Sequence, residues 1–366
     1  MTLSAIQPIK TWFKRDQAVH ELKALAQRLG PGARMPRVRS LAQSLGVTIA
    51  TLDQALRELE VQGLIIRKDR SGIFVAPKAQ QGRIGLIFGR DIMDATATSF
   101  RSLLMEQCRQ RSIERGERFS FFVDLGVPNT DGGTLPDDLR EALIAKRLAG
   151  MITVSPHIDQ IKWLQKHDIP VVSLGRDEAW AHRVILHGEE LIRLTAQELK
   201  KQGCCQIGLL AANANHAEMF RRVMHSMGLI VNESWIEIAK GNHKEEAGLR
   251  CAEQFLTSNG VARRWTKKNS LPQAVIITDD MMARGACSLF GQRGVTPGRH
   301  LKIASHGNRG SWALAEWEDA LTICEYDPQE IVDALFSSLE KLIAGNAGPD
   351  EAVYILPHLK ISSVRP

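Results

Sequence analysis

Ile49, Ala50, Asp53, Gln54 and Arg57 recur at the three- and four-residue spacing of one helical face, opposite the apolar stripe Leu52, Ala55, Leu56 and Leu59. Their chemistry suits the edges of base pairs. A glutamine can pair with adenine, an aliphatic side chain can pack on a thymine methyl, and a carboxylate can only accept, for instance from cytosine N4. Basic side chains flank the face in sequence, with Arg34, Arg37 and Arg39 before it and Lys68 and Arg70 after it, all able to meet phosphate oxygens.

Such a face needs a scaffold, and the segment from Gly32 to Ala76 encodes one. Val38, Leu41, Ala42 and Leu45 mark a first short helix, Gly46-Val47 a turn, and the stripe above a second helix. Thr48 is placed to cap that helix and Gly63 to end it. The apolar runs around Ile65 and Phe74 then enclose a polar turn reaching Gly72, the pattern of two strands of a wing. The expectation is a winged helix-turn-helix over residues 1–76 whose second helix enters the major groove of double-stranded DNA. Charge agrees: residues 1–78 hold 13 Lys+Arg against 6 Asp+Glu, whereas the other 288 residues carry 34 against 35.

These residues resemble the GntR-type bacterial transcription regulators. The resemblance rests on Pro36, on Leu41-Ala42-Gln43-Ser44-Leu45-Gly46-Val47, on the helix exit from Ala55 to Ile65, and on Gly72-Ile73-Phe74-Val75, and spans about residues 5 to 78. Many such modules place arginines where this chain has Ile49 and Asp53, whereas Arg39 keeps the family's arginine. The residues expected to contact DNA are Arg34, Arg37, Arg39, Thr48, Ile49, Asp53, Gln54, Arg57, Lys68, Arg70 and Gly72.

Residues 77–82 are polar and helix-poor, which predicts a linker before a domain of residues 83–366. From Arg83 the chain alternates strands and helices. Strands are expected at 84–88, 119–124, 150–154, 170–174, 206–211, 235–239, 274–278 and 300–304, with helices at 97–115, 136–147, 157–167, 188–202, 215–228, 244–258 and 281–293. That alternation means an α/β domain of two lobes with parallel sheets, taking a ligand in the cleft between lobes at the carboxyl ends of the strands.

The order of pieces resembles the LacI-type sensor, itself similar to periplasmic sugar-binding proteins. The phrases that carry it are Arg83-Ile84-Gly85-Leu86-Ile87, Leu148-Ala149-Gly150-Met151-Ile152, Ile169-Pro170-Val171-Val172, and the run from Ile276 through Asp279-Asp280-Met281-Met282 to Ala286. The family's His-Arg-Arg-Ile is replaced here by Cys204-Cys205-Gln206-Ile207, and its Gly-Phe-Asp-Asp by Ser305-His306-Gly307-Asn308. The resemblance makes Asp280 an acceptor of ligand hydroxyls; a helix N-cap is its plainer reading. His216 stands where the family has an arginine partner. By topology Arg90, Asp91, Ser155, His157, Arg176, His306 and Asn308 also point toward the ligand. Trp312 and Trp317 can stack on a sugar face, but burial in a hinge or core is the expectation. The basic run Arg263 to Lys268 reads as a solvated surface loop.

Other classes lose support. There is no phosphate-cradling glycine loop, His-Glu-x-x-His or Gly-x-Ser-x-Gly, and the six cysteines lack metal-ligand spacing. No apolar run approaches the roughly 20 residues of a membrane span, so a cytoplasmic protein without cofactor or metal is expected. An enzyme fused to the DNA module, such as a pyridoxal-phosphate aminotransferase, would need more residues than remain. The reading is a homodimeric, non-enzymatic DNA-binding regulator, a repressor by resemblance. It binds an operator under control of a small-molecule effector, a sugar by resemblance, with a purine or amino acid as the alternative.

Overall fold

Two glycines in the left-handed region end the helices of the DNA-type module, Gly46 at φ 61° and Gly63 at φ 69°, where any side chain would strain the backbone. The computed structural model describes residues 14–61, 63–68, 71–76, 83–88, 99–115, 117–123, 136–145, 147–154, 164, 167, 169–176, 178, 180–240, 244–261, 263–266 and 271–360. The expected linker at 77–82 lies outside them, and so does almost all of the helix expected at 157–167.

Helices α1 (Lys14–Leu29), α2 (Val38–Leu45) and α3 (Ile49–Val61) precede strands β1 (Ile65–Lys68) and β2 (Gly72–Val75). The strands pair antiparallel, with Ile66 opposite Phe74. Leu41, Ala42, Leu52, Ala55, Leu56 and Leu59 pack with Ala18, Leu22 and Ala26 of α1 and with Ile65, Ile73 and Val75 of the wing. The apolar stripes read from sequence are thus the core, and α1, which the sequence reading passed over, closes it. Thr48 Oγ1 accepts the Thr51 N–H at 3.1 Å and caps α3. At the other end Leu64 N–H reaches Leu59 O at 2.9 Å across Gly63.

Next come β3 (Arg83–Phe88), α4 (Ser99–Arg115), β4 (Phe119–Val123), α5 (Asp137–Ile144), β5 (Leu148–Val154), β6 (Val171–Leu174) and β7 (His182–Leu186). The second series is α6 (Gly188–Lys201), β8 (Ile207–Ala211), α7 (Ala214–Ser226), β9 (Ile236–Ile238), α8 (Lys244–Ser258), β10 (Ala274–Ile277), α9 (Asp280–Gln292), β11 (Lys302–Asn308) and β12 (Leu321–Tyr326). It closes with α10 (Pro328–Ile343), β13 (Glu351–Ile355) and β14 (His358–Leu359). The first sheet has the order β13-β7-β6-β5-β3-β4 and the second β14-β12-β11-β10-β8-β9. In each, the first strand of a series lies between its second and third, so the strand order reverses beside it. In the second sheet that reversal falls between β8 and β10, which pair parallel with Ile276 opposite Leu209. Outside the carboxyl ends of two such strands the following helices diverge and leave a crevice.

The second sheet is buried under α8 and α9, where Phe255, Met282, Phe290, Ile277 and Ile303 share one core. Two glycines make that packing close. A Cβ on Gly248 would lie 2.1 Å from Met282 O, and one on Gly285 would lie 2.1 Å from Glu245 O. Each helix therefore lays bare backbone against the other.

Candidate DNA interface and effector site

The exposed face of α3 holds Ile49, which is 54% exposed, together with Ala50, Gln54 and Arg57. Asp53 lies on the same face but is engaged. Its Oδ1 accepts from Arg67 Nη1 of β1 at 2.7 Å, and its Oδ2 lies 3.0 Å from Arg57 Nε. The Arg67 hydrogen bond, ahead of the opposing effect of burial, holds the Asp53 carboxyl below its ordinary value. Asp53 thus meets Arg67 with one carboxylate oxygen and Arg57 with the other, and each oxygen keeps a further lone pair. Arg67 was not singled out in the sequence because the pair joins positions 14 apart on different elements.

Arg34, Arg37 and Arg39 are exposed ahead of α3. In the wing, Lys68 Nζ lies 5.0 Å from the centre of the Phe74 ring and the Arg34 guanidinium carbon 5.9 Å from it. Phe74 thus serves as a platform for two cations. Gly72, at φ 104°, lets the chain pass beside Arg34, whose guanidinium nitrogens would be 3.4 Å from any Cβ there. Arg70 lies outside the described residues.

A second polar cluster forms at the carboxyl ends of the second sheet. After β8, His216 Nδ1 shares a 2.8 Å hydrogen bond with Thr278 Oγ1, which also accepts the Ala212 N–H at 2.9 Å. After β10, Asp280 is 2% exposed, and after β11 Asn308 is 4% exposed. Asn308 Nδ2 donates to Asp280 Oδ2 at 3.1 Å, Ser311 Oγ donates to the same oxygen at 3.2 Å, and the Met281 N–H donates to Oδ1 at 2.9 Å. The capping role read for Asp280 is corrected: Asp279 is the N-cap of α9, accepting the Met282 N–H at 3.0 Å. Asp280, one residue inside the helix, is turned toward β11 instead. Burial, then the neighbouring Asp280, push the Asp279 carboxyl above its ordinary value.

His306 stacks edge-on against Tyr326 of β12, with ring centres 5.4 Å apart. His306 Nε2 and Asn308 Oδ1 are buried and meet no hydrogen-bond partner among the described residues. Burying such atoms unpaired costs about 1 to 3 kcal/mol each, a cost that a water or a bound molecule would relieve. Of the effector candidates, the fold joins Asp280 to Asn308 by a hydrogen bond and places His306 two residues before Asn308 on β11, while His216 is bonded to Thr278 at the end of the neighbouring strand β10. Arg176 follows β6 of the first sheet and is exposed, while Arg90, Asp91, Ser155 and His157 lie outside the described residues. Thr278 and Ser311 were missed, because hydroxyls of this kind carry no sequence signal apart from their strand-end positions.

The tryptophans divide. Trp317 packs on the core of the second sheet, as expected, whereas Trp312 is 54% exposed with the Arg284 guanidinium 5.0 Å from its ring centre, against the expectation of burial. In the basic run, Arg263 and Arg264 are exposed and Trp265 stacks on His300 at 4.4 Å. None of the described helices is long and apolar enough to cross a membrane.

Comparison with known proteins finds matches for two separate stretches of the chain. Residues 14–75 match the bacterial regulatory proteins of the gntR family, and residues 196–362 match the periplasmic binding protein-like domain. The HTH-type transcriptional repressor PurR of Pasteurella multocida is 25% identical over 179 residues, covering 46% of this chain and 50% of that protein. The chain thus spans about half the length of the curated relatives it matches. An uncharacterized HTH-type transcriptional regulator of Escherichia coli, YjiR, is 42% identical over 67 residues, covering 17% of this chain and 14% of that protein. Among solved structures, a transcriptional regulator CelR–cellobiose complex superposes with a TM-score of 0.62 at 15% identity, over 89% of this chain and 99% of that one. A LacI-family regulatory protein from Chloroflexus aggregans gives 0.57 at 20% identity, over 76% and 96%. In its parts, then, the chain joins a gntR-type module to a periplasmic-binding-protein-like domain with the fold of LacI-family regulators.

Proposed function

We propose that this chain is a transcriptional regulator, a repressor, whose affinity for an operator is set by a small molecule. It acts as a homodimer on an inverted repeat in the cytoplasm, and it binds rather than catalyses. The observation that carries the reading is the exposed α3 face of Ile49, Gln54 and Arg57 beside a wing that holds Arg34 and Lys68 on one aromatic ring. That combination offers base-edge and phosphate chemistry together. The curated relatives bear names of transcriptional repressors and regulators, which supports the same reading.

The effector binds at the carboxyl ends of the second sheet, where Asn308 Oδ1 calls for a donor and His306 Nε2 for a partner of either kind. A sugar suits this set, since each hydroxyl both donates and accepts, and one structural neighbour is described with cellobiose. A second reading, a purine, is favoured by the half-buried His306 imidazole, a ring on which a base can stack. Thermal shift of the whole protein against pentoses, hexoses, nucleobases and nucleosides separates the two. A ligand at 100 times its dissociation constant stabilises by about 2.7 kcal/mol. Each hit is then added to the protein bound to a DNA sequence selected from a random pool. A hit that leaves DNA affinity unchanged overturns the regulatory reading.

A further inference from the structure

The reading face of α3 contains a carboxylate, which by itself would repel the phosphates around a major groove. Its surroundings give it another task. Arg67 is held at two points on α3, by Asp53 through Nη1 at 2.7 Å and by Glu60 through Nε at 3.2 Å, with a further contact from Nη2 to the Asp53 carbonyl at 3.4 Å. Asp53 and Glu60 are seven residues apart, two turns of one helix, so Arg67 ties strand β1 of the wing along α3. Arg67 at Oδ1 thereby favours one orientation of the Asp53 carboxylate.

Its other oxygen then faces Arg57, one turn further along α3, and meets Nε at 3.0 Å. Asp53 is the only partner of Arg57 among the described residues, and the Arg57 side chain is 74% exposed. A guanidinium held by Nε keeps its two terminal nitrogens as a planar fork, the geometry that matches guanine O6 and N7. An unheld arginine loses rotamer freedom when it binds, and a brace removes part of that cost beforehand.

We propose that Arg57 reads a guanine in each operator half-site, and that Asp53, locked by Arg67, is the positioning residue that aims it. The inference rests on the reading of α3 as the helix that enters the groove. It places the specificity of the second turn of α3 in an Asp53–Arg57–Arg67 relay, and it explains why a carboxylate is tolerated on a DNA-facing helix.

The test uses the full chain. Wild-type protein is incubated with a pool of randomised duplexes and the bound sequences are recovered; affinities for the consensus and its single-base variants are then measured for wild type, Arg57→Ala, Asp53→Asn and the double variant. Wild type is expected to prefer one guanine per half-site by roughly 5- to 150-fold over other bases. Arg57→Ala should abolish that preference and leave preferences at the other positions intact. Asp53→Asn, which keeps the shape and removes the charge, should lower it at the same base pair, and the double variant should lose no more than Arg57→Ala alone. A merely structural Asp53 would weaken binding to every sequence equally, and that outcome overturns the proposal. So does an Arg57→Ala protein that keeps the wild-type preference at every position. Recovery of no sequence by wild type would instead overturn the reading of α3 itself. Arg57 is a solvent-facing side chain, so its truncation leaves the fold intact and the test open even if Asp53→Asn is unstable.

Discussion

Asn308 donates from Nδ2 to Asp280 Oδ2 across 3.1 Å, joining the end of β11 to the first turn of α9 in a site closed to solvent. The bond also fixes the amide: with Nδ2 committed to Asp280, Oδ1 is the atom left to accept from a ligand. Asp280 is thus a brace that orients Asn308, and its own oxygens are supplied by Asn308, Ser311 and the Met281 N–H.

Asp280→Asn should therefore do two things. It replaces an acceptor with a group that presents a donor to Asn308, so either the bond is lost or the Asn308 amide turns over and offers Nδ2 to the ligand. Effector affinity is expected to fall at least tenfold, with a loss of about 1 to 3 kcal/mol in stability from disturbed buried hydrogen bonds. Calorimetry with the hit from the ligand screen measures the first, and denaturant unfolding the second. Equal dissociation constants for wild type and variant would remove the pair from the effector site.

Asp279, the cap beside it, makes a pH prediction. Burial and Asp280 raise its pKa in the folded protein, so the folded state holds this proton more tightly than the unfolded chain does. The contribution to stability is then complete at pH values below the unfolded pKa and is lost as pH rises through the folded one. Asp279→Asn keeps a good capping side chain and cannot ionise. The variant should match wild type near pH 3 and exceed it at neutral pH, as read from urea midpoints. Parallel profiles would show that the Asp279 carboxyl ionises as freely folded as unfolded.

How much of this was legible in the sequence depends on the range of the interaction. Leu52, Ala55, Leu56 and Leu59 announced the buried side of α3 because helical periodicity is local, and Gly46 and Gly63 announced its neighbours for the same reason. The gntR-type module was readable from such signals alone. The expected series of strands ended at residue 304, although β12, α10, β13 and β14 lie beyond it. The apolar spacing of Ile331, Leu335, Phe336 and Leu339 in α10 was open to the same periodic reading. Strand β14 is two residues long and gains its identity only from pairing with β12. In the candidate sites the residues were visible and their relations were not. Asp280 and Asn308 are 28 positions apart, and Asp53 and Arg67 are 14. No spacing rule joins them; the parallel register of β10 on β11 and the fold-back of the wing do.

The glycines of α8 and α9 offer a sharper test of packing. Because a Cβ at Gly248 or Gly285 would fall 2.1 Å from a facing carbonyl oxygen, alanine at either position must push the two helices apart. Each substitution is expected to destabilise by about 1 to 3 kcal/mol or more. Gly291, on the same helix as Gly285, has nothing within 4 Å of its built Cβ. Gly291→Ala should be neutral or stabilise by about 0.5 to 1 kcal/mol, since it lowers the entropy of the unfolded chain. Unfolding midpoints of the three variants decide the matter, and a Gly285→Ala protein as stable as wild type would show that the crossing has slack.

Arg39 tests the other side of the DNA module. It is exposed in the first turn of α2, a helix whose N-cap residue, Arg37, makes no side-chain capping bond. The first N–H groups of α2 thus have no side-chain cap at Arg37, and with Arg37 and Arg39 beside them they form a ready place for a DNA phosphate. If Arg39 meets a phosphate there, Arg39→Ala weakens binding to all sequences about equally and lowers the slope of log affinity against log salt by about 1. If it reaches a base edge, the loss is about 1 to 3 kcal/mol on the selected operator and smaller on random duplex, with the slope nearly unchanged. Anisotropy titrations on both duplexes at several salt concentrations separate these outcomes. The uncapped helix end favours the phosphate contact. Unchanged affinity on both duplexes would take Arg39, and with it the N-terminus of α2, out of the interface.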